Sequence, residues 1–323
     1  MATQAVKYAV GAALALAVPA HAQTVYTIAT NPQGSIYYSA GAAVAKLAND
    51  KLNLQMRVQP YAGSSTYLPM LNRGEVDFGF MNVDDAQIGY RGVEAFEGKP
   101  NPDMRLVGVI FPLPFAFLVA ADAPWKKAEE LKGLRVPSEV TSQTTVKKLH
   151  EATLASAALT WADMKGVPVA NGFQGTEMVG SGRVDVAGTA PGIAQVQQAH
   201  LALQSRGGAR FIPINDSPAG VQRMKKVFPG YPMLLEPAKH LPGIVGPTVT
   251  MGYSAFLVTH GKQPDELVYN LTKMIAASRG QLVEVAPQIS RFDPKRMAEQ
   301  NVVPYHPGAI KFYSEAGQWP PKQ

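Results

Sequence analysis

Apolar and polar positions along this chain alternate in two rhythms. Residues 25–29 (Val-Tyr-Thr-Ile-Ala) are β-rich and end in the turn cluster Thr30-Asn31-Pro32-Gln33-Gly34-Ser35. From 37 to 52 the apolar residues Ala40, Val44, Leu47 and Ala48 recur at helical spacing. Residues 54–60 alternate as a strand does, Tyr61-Ala62-Gly63-Ser64-Ser65 is a turn, and 66–72 reads as a short helix. Gly74 stands where such a helix stops, and 76–81 (Val-Asp-Phe-Gly-Phe-Met) is a buried strand. Strands alternating with helices predict a parallel sheet in an α/β domain.

The pattern then repeats. Asn72-Arg73-Gly74-Glu75-Val76-Asp77 leads into one strand, and Ser181-Gly182-Arg183-Val184-Asp185 leads into another, Val186-Ala187-Gly188-Thr189. Each Gly-x-Val-Asp follows a helix, and each helix follows a strand and a Gly-bearing turn, so two lobes built on one plan are predicted. Between the copies, 106–121 is almost wholly apolar but broken by Pro112 and Pro114. It predicts a strand leaving the first lobe, a bend, and a strand entering the second. Leu131-Lys132-Gly133-Leu134-Arg135-Val136 restarts the pattern, and Thr141-Ser142-Gln143-Thr144 caps a helix through about Ala157. Residues 210–214 and 253–258 are further strands, and 264–279 is an amphipathic helix with Leu267, Leu271, Met274 and Ile275 on one face. The expected organisation is a signal segment at 1–22, a first lobe from 23–112 plus about 250–323, a second lobe at 113–210, and a crossing segment at 211–249. Two α/β lobes joined by more than one crossing form a clamshell whose cleft binds a ligand.

Composition narrows the picture. With 323 residues, 46% of them hydrophobic and 17% charged, the chain buries a sizeable core and is not disordered. It has no cysteine, which excludes a disulfide scaffold, a zinc–cysteine site and a thiol enzyme. The net charge of +6 is scattered rather than gathered beside aromatic residues, so no nucleic-acid partner is expected. The opening has a lysine (Lys7), a short apolar stretch at 8–18 and small residues at Ala20 and Ala22, the marks of a cleaved secretory signal. The apolar stretch is too short to span a bilayer. Export, cleavage after Ala22 and the absence of cysteine together predict a periplasmic protein.

The histidines after the signal (His150, His200, His240, His260, His306) are far apart and fit no metal spacing. Asp84-Asp85 is the acidic doublet near a strand end, where a helix-start role outweighs an acid/base pair. No nucleophile elbow, phosphate loop or Gly-x-Gly-x-x-Gly turn is present, and no cofactor is expected. What recurs is Ser, Thr and Gly at helix starts that follow strands: Gly34-Ser35, Ser64-Ser65, Thr141 to Thr144, and Gly175-Thr176. Such ends favour an anion and, in open α/β sheets, line the crevice. Tyr37, Tyr38, Tyr61 and Tyr67 stand beside them and offer an apolar wall with a hydrogen-bonding tip. On residues alone, two other readings stay open: an exported hydrolase using Asp84 or Asp85, and a receptor that presents its closed state to a membrane sensor.

Several of these segments resemble a known family. Gly34-Ser35-Ile36-Tyr37-Tyr38 is similar to the Gly-Gly-Thr-Tyr-Tyr start of TAXI-type solute receptors, the binding subunits of TRAP (tripartite ATP-independent periplasmic) transporters. Gly63-Ser64-Ser65 and Leu71-Asn72-Arg73-Gly74-Glu75-Val76-Asp77 resemble its glycine-serine helix start and Leu-x-x-Gly-Glu-Ala-Asp turn. Val303-Pro304-Tyr305-His306-Pro307-Gly308-Ala309 resembles its His-Pro-Gly-Ala ending. The likeness implies an α/β class II periplasmic binding-protein fold, two lobes around a central cleft, and a protein that is not an enzyme. It implies a small carboxylated solute (organic acid, dicarboxylate or glutamate-like amino acid), delivered to TRAP permease subunits by a monomer that meets the membrane only through them. The pocket residues it implies are Gly34, Ser35, Tyr38, Ser64, Ser65, Asn82, Thr141, Ser142, Thr144 and Thr189. Neutral hydroxyls and helix ends, joined by Arg91, are the expected holders of the anion. The sequence departs from the family at Asn31-Pro32-Gln33, Asn82-Val83-Asp84 and 137–141, all at the expected site.

Overall fold

The computed structural model describes residues 24–140 and 143–321; the predicted signal at 1–22 and the site candidates Thr141 and Ser142 lie outside them. In chain order the first elements are β1 (Val25–Thr30), α1 (Ile36–Leu52), β2 (Gln55–Pro60), α2 (Ser64–Asn72), β3 (Phe78–Asn82) and α3 (Val83–Arg91). A long strand, β4 (Met104–Ala120), leads to β5 (Arg135–Ser138), α4 (Thr144–Ser156), β6 (Lys165–Pro168), α5 (Gly172–Gly180) and β7 (Ala187–Thr189). Then come α6 (Ala194–Ala202), β8 (Ala209–Ile212), α7 (Pro218–Val227) and β9 (Tyr231–Leu235). A second long strand, β10 (Thr248–His260), returns, followed by α8 (Asp265–Ala277), α9 (Arg279–Val285) and α10 (Pro307–Glu315).

The main sheet runs β2-β1-β3-β10-β4-β7, with β8 also on β4 and β9 on β10. β1 is parallel to β2 and β3, whereas β10 is antiparallel to β3 and β4. Strands β4 and β10 are long enough to belong to both lobes. Their far halves carry β7, β8 and β9, and β5 pairs with β6 in a separate two-stranded sheet. The bend expected at Pro112 and Pro114 does not occur, and β4 continues through both. Spaced two apart, the two imino nitrogens face one edge of the strand. The side away from β10 has no strand opposite 112–114, because pairing with β7 begins at Ala116. The missing N–H groups therefore cost no ladder bond.

The two Gly-x-Val-Asp turns are one device used twice. Gly74 and Gly182 adopt φ +75° and +69°, the left-handed region that closes a helix without a Cβ clash. Val76 and Val184 plug the core. Asp77 then accepts from the backbone N–H of Thr27 at 2.8 Å, and Asp185 accepts from the backbone N–H of Arg135 at 2.8 Å. In each case the bond ties the helix–strand turn to the strand that opened the unit. Helix α1 lies close on the sheet because Ala40, Gly41, Ala43, Val44 and Ala48 form its buried stripe. Helix α8 buries Val268, Leu271, Thr272, Met274 and Ile275, with Leu267 at the edge of that face. A separate apolar cluster around Phe117, Leu131, Val136, Leu154 and Ile212 holds part of the second lobe.

Candidate ligand-binding site

Where β4 and β10 cross, a cleft holds about 520 Å³ of empty space, its open mouth included. Asn31, Ser35, Ile36 and Tyr37 of the first lobe form one wall. Leu113, Phe115 and Tyr253 of the crossing strands form the floor. Gln143, Val146 and Leu149 of the α4 region, Gly172 and Phe173 of α5, and the segment from Gly188 to Ile193 close the far side.

The helices that reach this cleft arrive start-first. Ser35 caps α1, its Oγ accepting from the Tyr38 N–H at 3.1 Å. Asn171 caps α5 by accepting from the Gln174 N–H at 2.9 Å. Gln143 precedes α4, and its Oε1 accepts from the Gly172 N–H at 3.0 Å, which locks the starts of α4 and α5 together. First-turn N–H groups have no partner within their own helix and carry its positive dipole end. Three such ends meet at the cleft.

No Asp, Glu, Lys, Arg or His lines the cleft among the described residues. The Tyr37 side chain is only 6% exposed, and its hydroxyl has no hydrogen-bond partner there. The Asn31 Oδ1 is likewise buried and unpaired. Burial pushes the Tyr37 and Tyr253 phenols up, so both are neutral. Behind the floor, His150 donates from Nδ1 to the Val146 carbonyl at 2.9 Å and accepts at Nε2 from the Gly188 N–H at 2.9 Å. Burial lowers its pKa to about 4, so the ring stays neutral and fixes β7 to α4.

The rim beside the cleft is built otherwise. Asp85, 2% exposed, accepts from the Ser64 hydroxyl of α2, from the Thr145 hydroxyl of α4, and from the Asn82 amide at 2.9 Å. Lys148 of α4 donates to Asp84 at 2.8 Å and pairs with Glu94 at 3.0 Å. These contacts bind α4 of the second lobe to α3 of the first. Burial raises the Asp85 carboxyl, opposed by the hydrogen bonds from Ser64, Thr145 and Asn82. Burial also raises Asp84, with Lys148 opposing it.

The sequence candidates are divided by this geometry. Ser35 and Thr189 line the cleft, although Thr189 is already bonded to the Thr176 hydroxyl at 2.9 Å. Ser64 and Asn82 serve Asp85, not the cleft; Asn82 is the cap of α3, and Asp84 and Asp85 follow in its first turn. Gly34 gives its carbonyl to the Ala194 N–H at 3.0 Å across the lobes. Tyr38 and Ser65 lie outside the lining, and Thr144 opens α4. Arg91 is exposed at the last residue of α3, about 13 Å along the helix from its start, and does not reach the cleft. Tyr37, not Tyr38, lines the cleft. The sign was in the sequence, since Tyr37 stands three before Ala40 and seven before Val44 on the apolar stripe of α1. The link from Thr145 to Asp85 had no such sign. A hydrolase using Asp84 or Asp85 has no support, because both carboxylates are engaged by the rim and neither lines the cleft.

An open α/β sheet of this order, doubled into two lobes around a cleft, is the class II periplasmic binding-protein fold. Solved structures agree. One described as a periplasmic transporter is 14% identical, with 85% of this chain and 90% of that chain covered at a TM-score of 0.60. The periplasmic aliphatic sulphonate binding protein SsuA from Escherichia coli is 16% identical, with 92% and 94% covered at 0.51. An ancestral arginine-binding protein bound to arginine is 15% identical, with 83% and 99% covered at 0.50. At these identities the likeness is one of fold, and the proteins compared are described as a transporter and as binding proteins. A model of the NMT1-like family matches residues 28–317, and the chain belongs to that family.

Proposed function

We propose that this protein is a periplasmic solute receptor that captures a small carboxylated solute by clamshell closure and delivers it to a TRAP membrane permease. The observation that carries this is the cleft itself, lined from both lobes, with the starts of α1, α4 and α5 meeting beside an unpaired Tyr37 hydroxyl. A carboxylate suits converging helix starts, since it accepts from N–H groups that have no helical partner. The rim contacts from α4 to α3 suit a lobe pair that closes over its ligand. Among the described residues no helix is long and apolar enough to cross a membrane, in keeping with a receptor that meets the membrane through its permease. The segment before Gln23 is read as the export signal, and the receptor as a TAXI-type monomer. Residues 23–112 with 250–323 are taken as one lobe and 113–210 as the other; 211–249 joins the second, where α7 packs on α4 and β9 on β10.

The test is native mass spectrometry of gently purified protein, followed by a thermal-shift screen of organic acids. A stoichiometric small acid that is released unchanged, and that raises the melting temperature on return, is the expected result. Turnover of the ligand, or no ligand from either measurement, would overturn the reading. A permease gene beside this one favours transport over sensing.

A further inference from the structure

We propose that the cleft is selective for a monocarboxylic acid with an apolar body, and rejects dicarboxylates and amino acids. The inference rests on the solute-receptor reading and narrows its ligand class.

One end of the cleft is fitted for a single anion. Each helix start carries a partial charge of about +0.5, and those of α1, α4 and α5 meet here. Tyr37 lines the cleft, and its hydroxyl is buried without a protein partner. A buried hydroxyl left unpaired costs the fold, so its place is explained by a ligand acceptor. The Ser35 oxygen accepts from the Tyr38 N–H, which leaves its proton to donate.

Most of the remaining lining is apolar, with Ile36, Leu113, Phe115, Leu149, Phe173 and Ile193, and its other polar side chains, Asn31, Gln143, Thr189 and Tyr253, are uncharged. A second carboxylate would lie against these side chains with no cation on the described walls. An α-ammonium group would need an anionic partner. The buried acids of the rim, Asp85, held by Ser64, Thr145 and Asn82, and Asp84, paired through Oδ1 with Lys148, both lie outside the lining. A hydrocarbon or aromatic tail meets neither penalty and gains from burial.

The experiment titrates the full chain, dialysed free of co-purified solute, with phenylacetate and 3-methylbutanoate, with succinate and 2-oxoglutarate, with glutamate, and with phenylacetamide. The monocarboxylates are expected to bind at least about ten-fold tighter than the dicarboxylates, glutamate and the amide, since an unpaired buried charge or a lost charge-assisted bond costs that much or more. Tyr37→Phe removes only the hydroxyl. It should weaken phenylacetate about five- to ten-fold, the range of one hydrogen bond, and leave the melting temperature of the unliganded protein unchanged or slightly raised. Tighter binding of succinate, 2-oxoglutarate or glutamate overturns the proposal and leaves the receptor reading standing. So does an amide that binds as tightly as the acid, or a Tyr37→Phe protein with unchanged affinity. If no probe binds and no solute co-purifies, both fall.

Discussion

Helix α4 shows two sides of the molecule at once. Thr145 and Lys148, three residues apart, face α3 and carry hydrogen bonds and charge to Asp85, Asp84 and Glu94. Val146 and Leu149, also three apart, face the cleft, where the described walls bear no charge. A single helix thus separates the chemistry that holds the lobes together from the chemistry that receives the ligand. The difference teaches that a protein of this fold can set ion pairs between its lobes and keep the walls of the cleft beside them uncharged. Under the proposed function, closure and selectivity rest on different residues, and each is open to separate attack.

The largest effect expected is at Asp85. Replacement by alanine leaves the Ser64 and Thr145 hydroxyls and the Asn82 amide without their acceptor in a buried site. A loss of about 3 kcal/mol is expected in urea unfolding, since bonds to a charged group are worth about 1.5–3 kcal/mol and are not additive. Removing the unpaired Tyr37 hydroxyl is expected to cost almost nothing by the same measurement. Equal losses at the two sites would erase the contrast between rim and cleft.

Acid sharpens the contrast because the two regions respond with opposite sign. The unfolded chain protonates its histidine near pH 6.5, but folded His150 does so only near 4. Its stabilisation is therefore complete above 6.5 and is lost as pH falls to 4, by about 3 kcal/mol at most. Asp85 runs the other way. Its folded pKa is raised above the ordinary 3.8, so its burial penalty is relieved as pH falls through the raised value. Unfolding is to be measured from pH 7 down to 4. His150→Gln should be less stable than the parent at pH 7 and catch up on acidification, whereas Asp85→Asn should fall behind. Parallel curves would show that neither group titrates as its surroundings require.

What the sequence revealed of this molecule was whatever recurs locally. The alternation of strand and helix, and the doubled Gly-x-Val-Asp turn with Asp77 and Asp185 each bonded 50 residues back, left marks within a few positions. Pro112 and Pro114 misled, because the sequence does not say that their edge of β4 is unpaired. Helix starts could be found, but not what their side chains meet. Ser64 and Asn82 have the right chemistry for an anion, and the anion they meet is the protein's own Asp85. That cluster joins Thr145 to Asp85 across 60 residues, a distance no local periodicity encodes. Arg91 illustrates the same limit, since its charge is plain in the sequence but its position at the far end of α3 depends on where that helix stops.

The smallest effect is the most informative about closure. The Lys148 side chain is 25% exposed, so its pairs with Asp84 and Glu94 are partly screened and together worth about 0.5–1 kcal/mol. Replacing it with methionine keeps the stem that packs along α4 and removes only the charge. Because the pair spans the lobes, its energy goes into the balance of open and closed forms rather than into either lobe alone. A two- to five-fold shift toward the open form is expected, read as a broader distance distribution between fluorophores on the two lobes. Salt at about 0.5 M, where the Debye length is roughly 4 Å against about 30 Å at 0.01 M, should shift the parent protein the same way and leave Lys148→Met unmoved. Ligand affinity should weaken by the same factor, since the binding-competent fraction falls with the closed population. If the distance distribution shifts and affinity does not, the ligand closes the lobes without help from the rim, and the division of labour along α4 is wrong.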